Sequence, residues 1–415
     1  MSKNKKRNFA ALRLILAGII MLTLFTSCAP GPAAGGNSQT IDDAPYHGGV
    51  ELYQLAPEPD SLMMSYVIVT PNRKVIVIDG GIDGRGMNEP PYLPSAIRAI
   101  LGLEEGEYFE VEAWFLSHGH WDHFYELAKM LSAYNENSNY RINNFYFDFP
   151  EYGVEWKTNG GDGDYNIKEL RVLKRGMRKY YRLVPFAGIN GADIPEDQWA
   201  EPEDIDDKTY YYYDLINGSV INKDSVKEGL TIDVDGVAFK VMCTWSKSDA
   251  NVNSTSVVLK MIYGEHTVLF LGDAAKDTGN KLLRAYSDEE LKCEYVQLAH
   301  HGQWGPDQKF YERIGAPDSI RLWPTPIWVW QNAQKTYDIG NSRLWMGLPE
   351  SSEEFASRKL GEKGRDYVAC LYKAYPQSPS KVESWTREVV NAQRVAIFEK
   401  VQYDEYAGKD HKRFR

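Results

Sequence analysis

Residues 111–123 read Val-Glu-Ala-Trp-Phe-Leu-Ser-His-Gly-His-Trp-Asp-His. The apolar run Val111–Leu116 predicts a strand, and three histidines crowd into the loop after it. Side chains two apart on an extended segment point the same way, so His118 and His120 can reach one ion. A helix is expected over Phe124–Tyr134, with apolar positions at Leu127, Met130 and Leu131. That turn swings Asp122 and His123 to the other side, within reach of a second ion. Imidazole and carboxylate are the donors that zinc and its neighbours prefer.

Other strand ends carry the same chemistry. Val75-Ile76-Val77-Ile78 reads as a strand buried on both faces and stops at Asp79-Gly80-Gly81. Leu269-Phe270-Leu271-Gly272 leads into Asp273, where a carboxylate could bridge two ions. Glu294–Ala299 ends at His300-His301-Gly302, which can close the site from the opposite edge. Around these lie strands over Val50–Leu55, Met63–Thr70, Lys74–Asp79 and Asn144–Phe149, with Pro71-Asn72-Arg73 as a turn. Leu230–Val234 and Val237–Met242 flank Asp235-Gly236, a hairpin signal. Val257–Ile262 and Thr267–Phe270 flank a second hairpin turn, Tyr263–His266, that would leave His266 solvated. Helices are expected over Pro94–Leu103 and Thr278–Ala285. Residues 151–228 are rich in Asp, Glu, Gly and Tyr and hold one expected helix, Lys168–Leu183. They read either as an insertion over the strand ends, a lid or substrate wall, or as a solvated excursion.

On these residues the chain resembles the metallo-β-lactamase superfamily from about Val50 to Trp304, with the insertion between. Val77-Ile78-Asp79-Gly80-Gly81 is similar to the family's early aspartate turn, and His118 to His123 match its signature loop. Leu269 to Asp273 match its late aspartate motif, and Val296 to Gly302 its closing histidine segment. The resemblance implies an α/β fold, a four-layer αββα sandwich with its metal site at one edge of two sheets. It also implies two divalent ions, zinc first, with manganese or iron as alternatives. Their ligands would be His118, His120, Asp122, His123, Asp273 and one or both of His300 and His301. Asp122 and His301 are the catalytic candidates. Asp79 would either hold the ligand loops by hydrogen bonds or only shape a turn.

One departure narrows the branch. No histidine lies between His123 and His266, where lactam- and thioester-cleaving members carry a further ligand. That gap, the His-His-Gly ending and Asn253-x-x-Ser256-Val257-Val258-Leu259 resemble the branch of teichoic acid phosphorylcholine esterases and the nuclease-like domains of DNA-uptake channels. Most of that branch acts on phosphodiesters. Two dications within ~4 Å would depress the pKa of a shared water to around 7, and the hydroxide would attack phosphorus in line with the leaving oxygen. One histidine of the 300–301 pair could serve the leaving group. Asn253, Trp121 and Trp304 are substrate candidates, against capping or core packing. Trp323, Trp328 and Trp330 cluster just downstream.

Composition sets the remaining bounds. The chain has 415 residues, 43% hydrophobic and 25% charged, which excludes a disordered, collagen-like or polytopic membrane protein. Residues 1–27 carry five basic residues and no acid, so their removal takes the formal charge from −11 to −16. A surface that acidic speaks against a broad nucleic-acid footprint. The basic stretch Lys168, Lys174, Arg175, Arg178 and Lys179 keeps a nuclease open as the alternative, beside a non-catalytic metal-binding lipoprotein. Cys243 and Cys293 sit in apolar runs and read as buried free thiols.

The N-terminus reads as an address. A basic segment (Met1–Arg7) and an apolar segment (Leu14–Phe25) make a signal peptide, too short for the ~20 residues of a membrane span. Leu24-Phe25-Thr26-Ser27-Cys28 resembles a lipobox, so Cys28 is the expected lipidation site. Residues 28–48 form a flexible tether, 49–403 the catalytic domain and 404–415 a polar tail. The expected location is the bacterial cell envelope. The expected partners are the membrane, through the lipid, and a small or envelope phosphodiester substrate. Growth with labelled palmitate should tag the wild-type chain and not Cys28→Ala; label persisting in the variant would refute the anchor.

Overall fold

The computed structural model describes residues 49–55, 62, 64–82, 86–149, 167–184, 226–246, 248–331, 339–348, 366–369 and 392–398. The signal peptide, Cys28, the tether, the flanks of the insertion, Cys370 and the polar tail lie outside the described residues. Among the described residues no helix is long and apolar enough to cross a membrane.

Among the described residues, two seven-stranded sheets form the framework. The first joins β1 (Val50–Leu55), β2 (Tyr66–Val69), β3 (Val75–Ile78), β4 (Phe109–Phe115) and β5 (Tyr140–Ile142) in that order. β6 (Phe145–Tyr146) also pairs with β4. The second runs from β7 (Thr231–Val234) through β8 (Val237–Cys243), β9 (Val258–Tyr263), β10 (His266–Phe270), β11 (Tyr295–Gln297) and β12 (Ile320–Trp323) to β13 (Asp366–Val368). β14 (Ala392–Phe398) returns to the first sheet beside β1, antiparallel, with Val50 opposite Phe398.

Turn chemistry sets the hairpins. Asp235 and Gly236 both have positive φ, 56° and 81°, the backbone that a tight two-residue hairpin between β7 and β8 requires. Where strands run parallel, helices make the crossovers. They are α1 (Leu93–Leu101) and α2 (Trp121–Ala133), then α4 (Lys276–Ala285), α5 (Asp288–Leu291), α6 (Gln308–Arg313), α7 (Ile327–Gln331) and α8 (Ile339–Trp345); α3 (Ile167–Leu183) lies between β6 of one sheet and β7 of the other.

Three apolar layers hold four structural layers together. The inner one lies between the sheets, where Ile68, Ile76, Phe115, Phe239, Met261 and Phe270 are buried. The Phe115 and Phe239 rings meet across it at 4.8 Å. Burying a side chain of that size contributes about 1.5–3 kcal/mol. A second layer packs α1, α2 and α3 on the outer face of the first sheet through Leu93, Phe124, Leu127, Leu173 and Tyr180. A third packs the later helices on the second sheet through Leu282, Phe310, Trp323 and Trp330. The result is the expected α/β sandwich.

Two expectations need correction, and other elements are placed by the fold. The strand foreseen over Asn144–Phe149 is only β6 (Phe145–Tyr146), and a further strand that was not foreseen, β5 (Tyr140–Ile142), precedes it, the two separated at Asn143-Asn144. Asn143 N–H donates to Val111 O and the Asn144 side chain donates to Glu112 O, so the chain kinks to meet β4 twice. His266 opens β10 rather than sitting in the turn, and contacts Glu294 Oε2 at 2.7 Å. The helix within the insertion, α3, packs on α2 in the outer layer, and its Leu170 reaches Gly119 of the histidine loop. Its Gly176 permits the approach, since a Cβ there would lie 2.9 Å from Leu131 Cβ. Trp323 and Trp330 are core, edge to face at 5.6 Å. Cys243 and Cys293 are buried free thiols, as foreseen.

The sheets meet tightly near Gly272. Its φ is +54°, and a Cβ there would stand 2.7 Å from Ser117 Cβ. Gly272→Ala should therefore lower unfolding stability by about 1–3 kcal/mol in denaturant titration; an unchanged midpoint would contradict this packing.

Candidate metal centre

Every candidate donor stands at or just beyond the carboxyl end of a strand. β3 ends at Asp79, which takes a left-handed φ of 57°. Its carboxylate accepts from Ser117 N–H at 2.7 Å and from Ser117 Oγ at 2.8 Å. It also accepts from His123 Nδ1 at 2.9 Å, which leaves Nε2 of that ring facing inward. Asp79 thus anchors the start of the histidine loop and orients one of its rings.

β4 runs out at Ser117, and His118 follows, fully buried. His120 stays extended (φ −83°, ψ 142°) as the residue that opens α2. Asp122 and His123 then fall in the first helical turn, where the positive helix end favours an acidic side chain. Gly80 N–H donates to His123 O, and a Cβ on Gly80 would press within 3.2 Å of Leu127 N. Strand end and helix start are therefore in direct backbone contact.

β10 delivers Asp273 from the second sheet. The Asp273 N–H donates to Ser256 Oγ at 3.1 Å, and Ser256 Oγ donates to Asn253 O at 2.8 Å. Gln297 on β11 clamps the same turn. Its Oε1 accepts from Leu271 N–H and Gly272 N–H, and its Nε2 donates to Gly272 O. After β11 the chain turns sharply, with His300 and His301 both left-handed at φ 51° and 56°. Such residues store about 1–3 kcal/mol of strain each. Gly302 permits the turn, because a Cβ there would meet Trp323 at 2.9 Å.

Two triads result. Donor atoms of His118, His120 and Asp273 lie within 4.8 Å of one another, and so do those of Asp122, His123 and His301. Asp273 stands between them. Its carboxylate is 3.2 Å from His123 Nε2, 3.7 Å from His300 Nε2, 3.8 Å from His118 Nε2 and 3.9 Å from His301 Nε2. His301 Nε2 is 3.4 Å from Asp122 Oδ2. Its Nδ1 donates to Pro324 O at 3.0 Å, so Nε2 presents a lone pair to the cluster when the ring is neutral.

The donor set fits divalent metal. His123 Nε2, Asp273 Oδ1 and His301 Nε2 are buried and have no hydrogen-bond partner, a costly arrangement without a cation to receive them. Burial, reinforced by the neighbouring His123, holds His118 well below the usual histidine range. Burial lowers His120 as well. Both are thus neutral ligands at pH 7. Burial also pushes His123 and His301 downward, but Asp273, with Asp79 beside His123 and Asp122 beside His301, more than reverses it and raises both. Asp122 and Asp273 are held below the usual carboxylate range: burial opposes this, and the surrounding histidines outweigh it.

The remaining candidates separate. His301 joins the ligand cluster, whereas His300 is 17% exposed, with Nδ1 at 2.8 Å from Trp304 O. Trp304 is 52% exposed and its ring centroid lies 6.0 Å from that of His300. Trp121 packs on the helical core against Tyr125. Asn253 acts through its carbonyl, while its buried Oδ1 has no hydrogen-bond partner. Sequence reading gave no role to Ser117 or Gln297 and quoted Ser256 only as part of a motif; Gln297 left a signal of its own, a polar residue inside the apolar run Val296–Leu298.

Comparison with known proteins agrees with this fold. The family model described as metallo-beta-lactamase superfamily matches residues 63–240. That span holds Asp79 and the histidine loop and stops short of Asp273 and His301. No curated protein matches the sequence. Among solved structures the chain is similar to the metallo-beta-lactamase fold protein YhfI from Bacillus subtilis, at 10% identity and TM-score 0.36, over 72% of this chain and 94% of that one. It is also similar to a diphosphatase from the PhnP family, at 10% identity and TM-score 0.32, over 69% and 93% of the two chains. A third is CmlA, a diiron beta-hydroxylase from Streptomyces venezuelae, at 10% identity and TM-score 0.29, over 64% and 37%. The family match, with the fold, supports the metallo-beta-lactamase superfamily.

The raised pair gives a pH prediction. In the metal-free protein the neighbouring carboxylates make His123 and His301 hold protons more tightly than ordinary histidines, and metal must displace them. Adding zinc to chelator-stripped protein in weak buffer should release protons, less as the pH rises through the raised folded values. No release at pH 7 would contradict the geometry.

Proposed function

With the metallo-beta-lactamase superfamily as the premise, we propose that this chain is a dinuclear metal-dependent hydrolase of phosphodiester bonds in envelope or extracellular material. We propose zinc as the metal and a lipid on Cys28 as the anchor. The observation that carries the reading is the pair of donor triads, His118-His120-Asp273 and Asp122-His123-His301, with the Asp273 carboxylate also 3.2 Å from His123 Nε2.

Divalent metal held by these residues would supply Lewis acidity and hydroxide at neutral pH for attack on a phosphodiester. The chain's own residues make that possible. His118 and His120 stay neutral and compete with no proton for the first ion. Asp122, His123 and His301 would hold the second, with Asp273 between the two. Asp79, Ser117, Ser256 and Gln297 fix these donors before substrate arrives, so little reorganisation is left for the reaction.

His300 takes the leaving-group role rather than His301. Its Nδ1 donates to the Trp304 carbonyl, and its Nε2 lies beside Asp273 on the solvent side of the cluster. When protonated at Nε2 it can donate to the departing oxygen. The exposed Trp304 ring next to it offers a face for a choline-like cation or a sugar. The absence of a histidine between His123 and His266 supports phosphoryl over carbonyl substrates.

The test is a panel of a phosphorylcholine ester, bis(p-nitrophenyl) phosphate and DNA, with the full chain in detergent. The pair His118→Ala plus His120→Ala should lower kcat/KM by about three orders of magnitude or more, because losing the Lewis acid forfeits several kcal/mol. Intact activity in that variant would defeat the metal mechanism. DNA cleaved faster than the phosphorylcholine ester would move the substrate to nucleic acid.

A further inference from the structure

The two triads are unequal. Asp273 stands between them, so the second keeps three donors of its own, Asp122, His123 and His301, and the first only His118 and His120. A catalytic metal position usually takes three protein donors. The sequence has no histidine between His123 and His266 to make up the difference. The short turn Asn253–Thr255, just before β9, lies beside the deficient position. Asn253 O accepts from Ser256 Oγ at 2.8 Å, and that Oγ accepts from Asp273 N–H at 3.1 Å. Past the turn, Val257 N–H donates at 2.7 Å to the carbonyl of Ser117, the residue before His118. The segment thus joins the backbone beside one donor of the first position to the backbone of another.

Every other polar side chain from Asn251 to Ser256 is spent within the fold. Asn251 Oδ1 accepts from Ser254 N–H, and Ser254 Oγ donates to Asp277 Oδ1 at 2.6 Å. Thr255 Oγ1 donates to Val252 O, and Ser256 Oγ to Asn253 O. Thr278 on α4 holds the turn from outside, its Oγ1 donating to Ser254 O. Asn253 is the exception: its Oδ1 is buried and has no hydrogen-bond partner. An asparagine in such a turn ordinarily bonds the neighbouring backbone through its side chain, and this one does not. A buried acceptor without a donor is costly. Asn253 Oδ1 shares that condition with His123 Nε2, Asp273 Oδ1 and His301 Nε2, three ligand atoms of the metal centre.

We infer that the Asn253 amide oxygen is a ligand of the first ion, beside His118, His120 and Asp273. The inference rests on the two-ion reading above and names the donor that serves where no histidine is present. An amide oxygen is neutral and hard, better suited to manganese than to zinc, whereas imidazole suits zinc. The first position therefore holds zinc more weakly than the second, and a negative charge placed at residue 253 strengthens it.

The test reads metal uptake apart from turnover. Zinc is titrated onto the chelator-stripped full chain in detergent, in competition with a chromophoric chelator. The wild type should take up two ions in two steps of unequal affinity. Asn253→Ala should weaken the weaker step at least about tenfold and leave the tighter step unchanged. Asn253→Asp keeps the shape and adds a charge, so it should tighten the weaker step about tenfold. A residue that serves the fold alone would weaken uptake in both variants, and that result would overturn the proposal. Wild-type uptake in Asn253→Ala would overturn it too; joined to a raised KM for bis(p-nitrophenyl) phosphate, it would assign Asn253 to the substrate. A wild type that takes up two ions and cleaves no diester would sink the hydrolase reading alone.

Discussion

Asp273 is a buried carboxylate with nitrogens of four histidines within 4 Å. Taking that charge out of water is expensive unless something equally placed receives it. The surrounding protein is organised around this requirement. Gly272 brings the second sheet against Ser117 of the first, Ser256 and Gln297 hold the turn, and the left-handed pair His300-His301 aims two rings back at the carboxylate. Protons on His123 and His301 can compensate the charge in the free protein, and metal ions can replace them. The site is therefore a place where the fold has fixed charges that only cations satisfy.

The two sheets matter because each supplies half of this arrangement. The first ends in Asp79 and the histidine loop; the second ends in Asp273 and His301. Neither half has enough donors for two ions by itself. The inner apolar layer, with Phe115 against Phe239 across it, sets the spacing at which the halves meet. Stability of the sandwich and geometry of the site are one problem, which is why a glycine at 272 has no room for a methyl group.

Much of this could be read from the chain. Alternation and apolar runs located the strands, and period-two geometry divided the loop into His118 and His120 on one side, Asp122 and His123 on the other. Those signals are local, and local physics decides them. What escaped depends on contacts distant in sequence. The closing of the first sheet by β14 pairs residues more than three hundred positions apart. The separate positions of His300 and His301 follow from two positive φ angles that no composition reveals. The separation of β5 from β6 comes from Asn143 and Asn144 bonding sideways to β4. The helix α3 was expected from its pattern, but its place against α2 needed Gly176 and the facing Leu131.

The central claim is that the two triads hold two ions. The most direct measurement is the metal content per chain of protein purified without chelator and again after reconstitution. The account requires about two zinc, manganese or iron ions per chain, bound as a pair. No bound metal, even after reconstitution, would contradict it and leave a fold kept for binding alone.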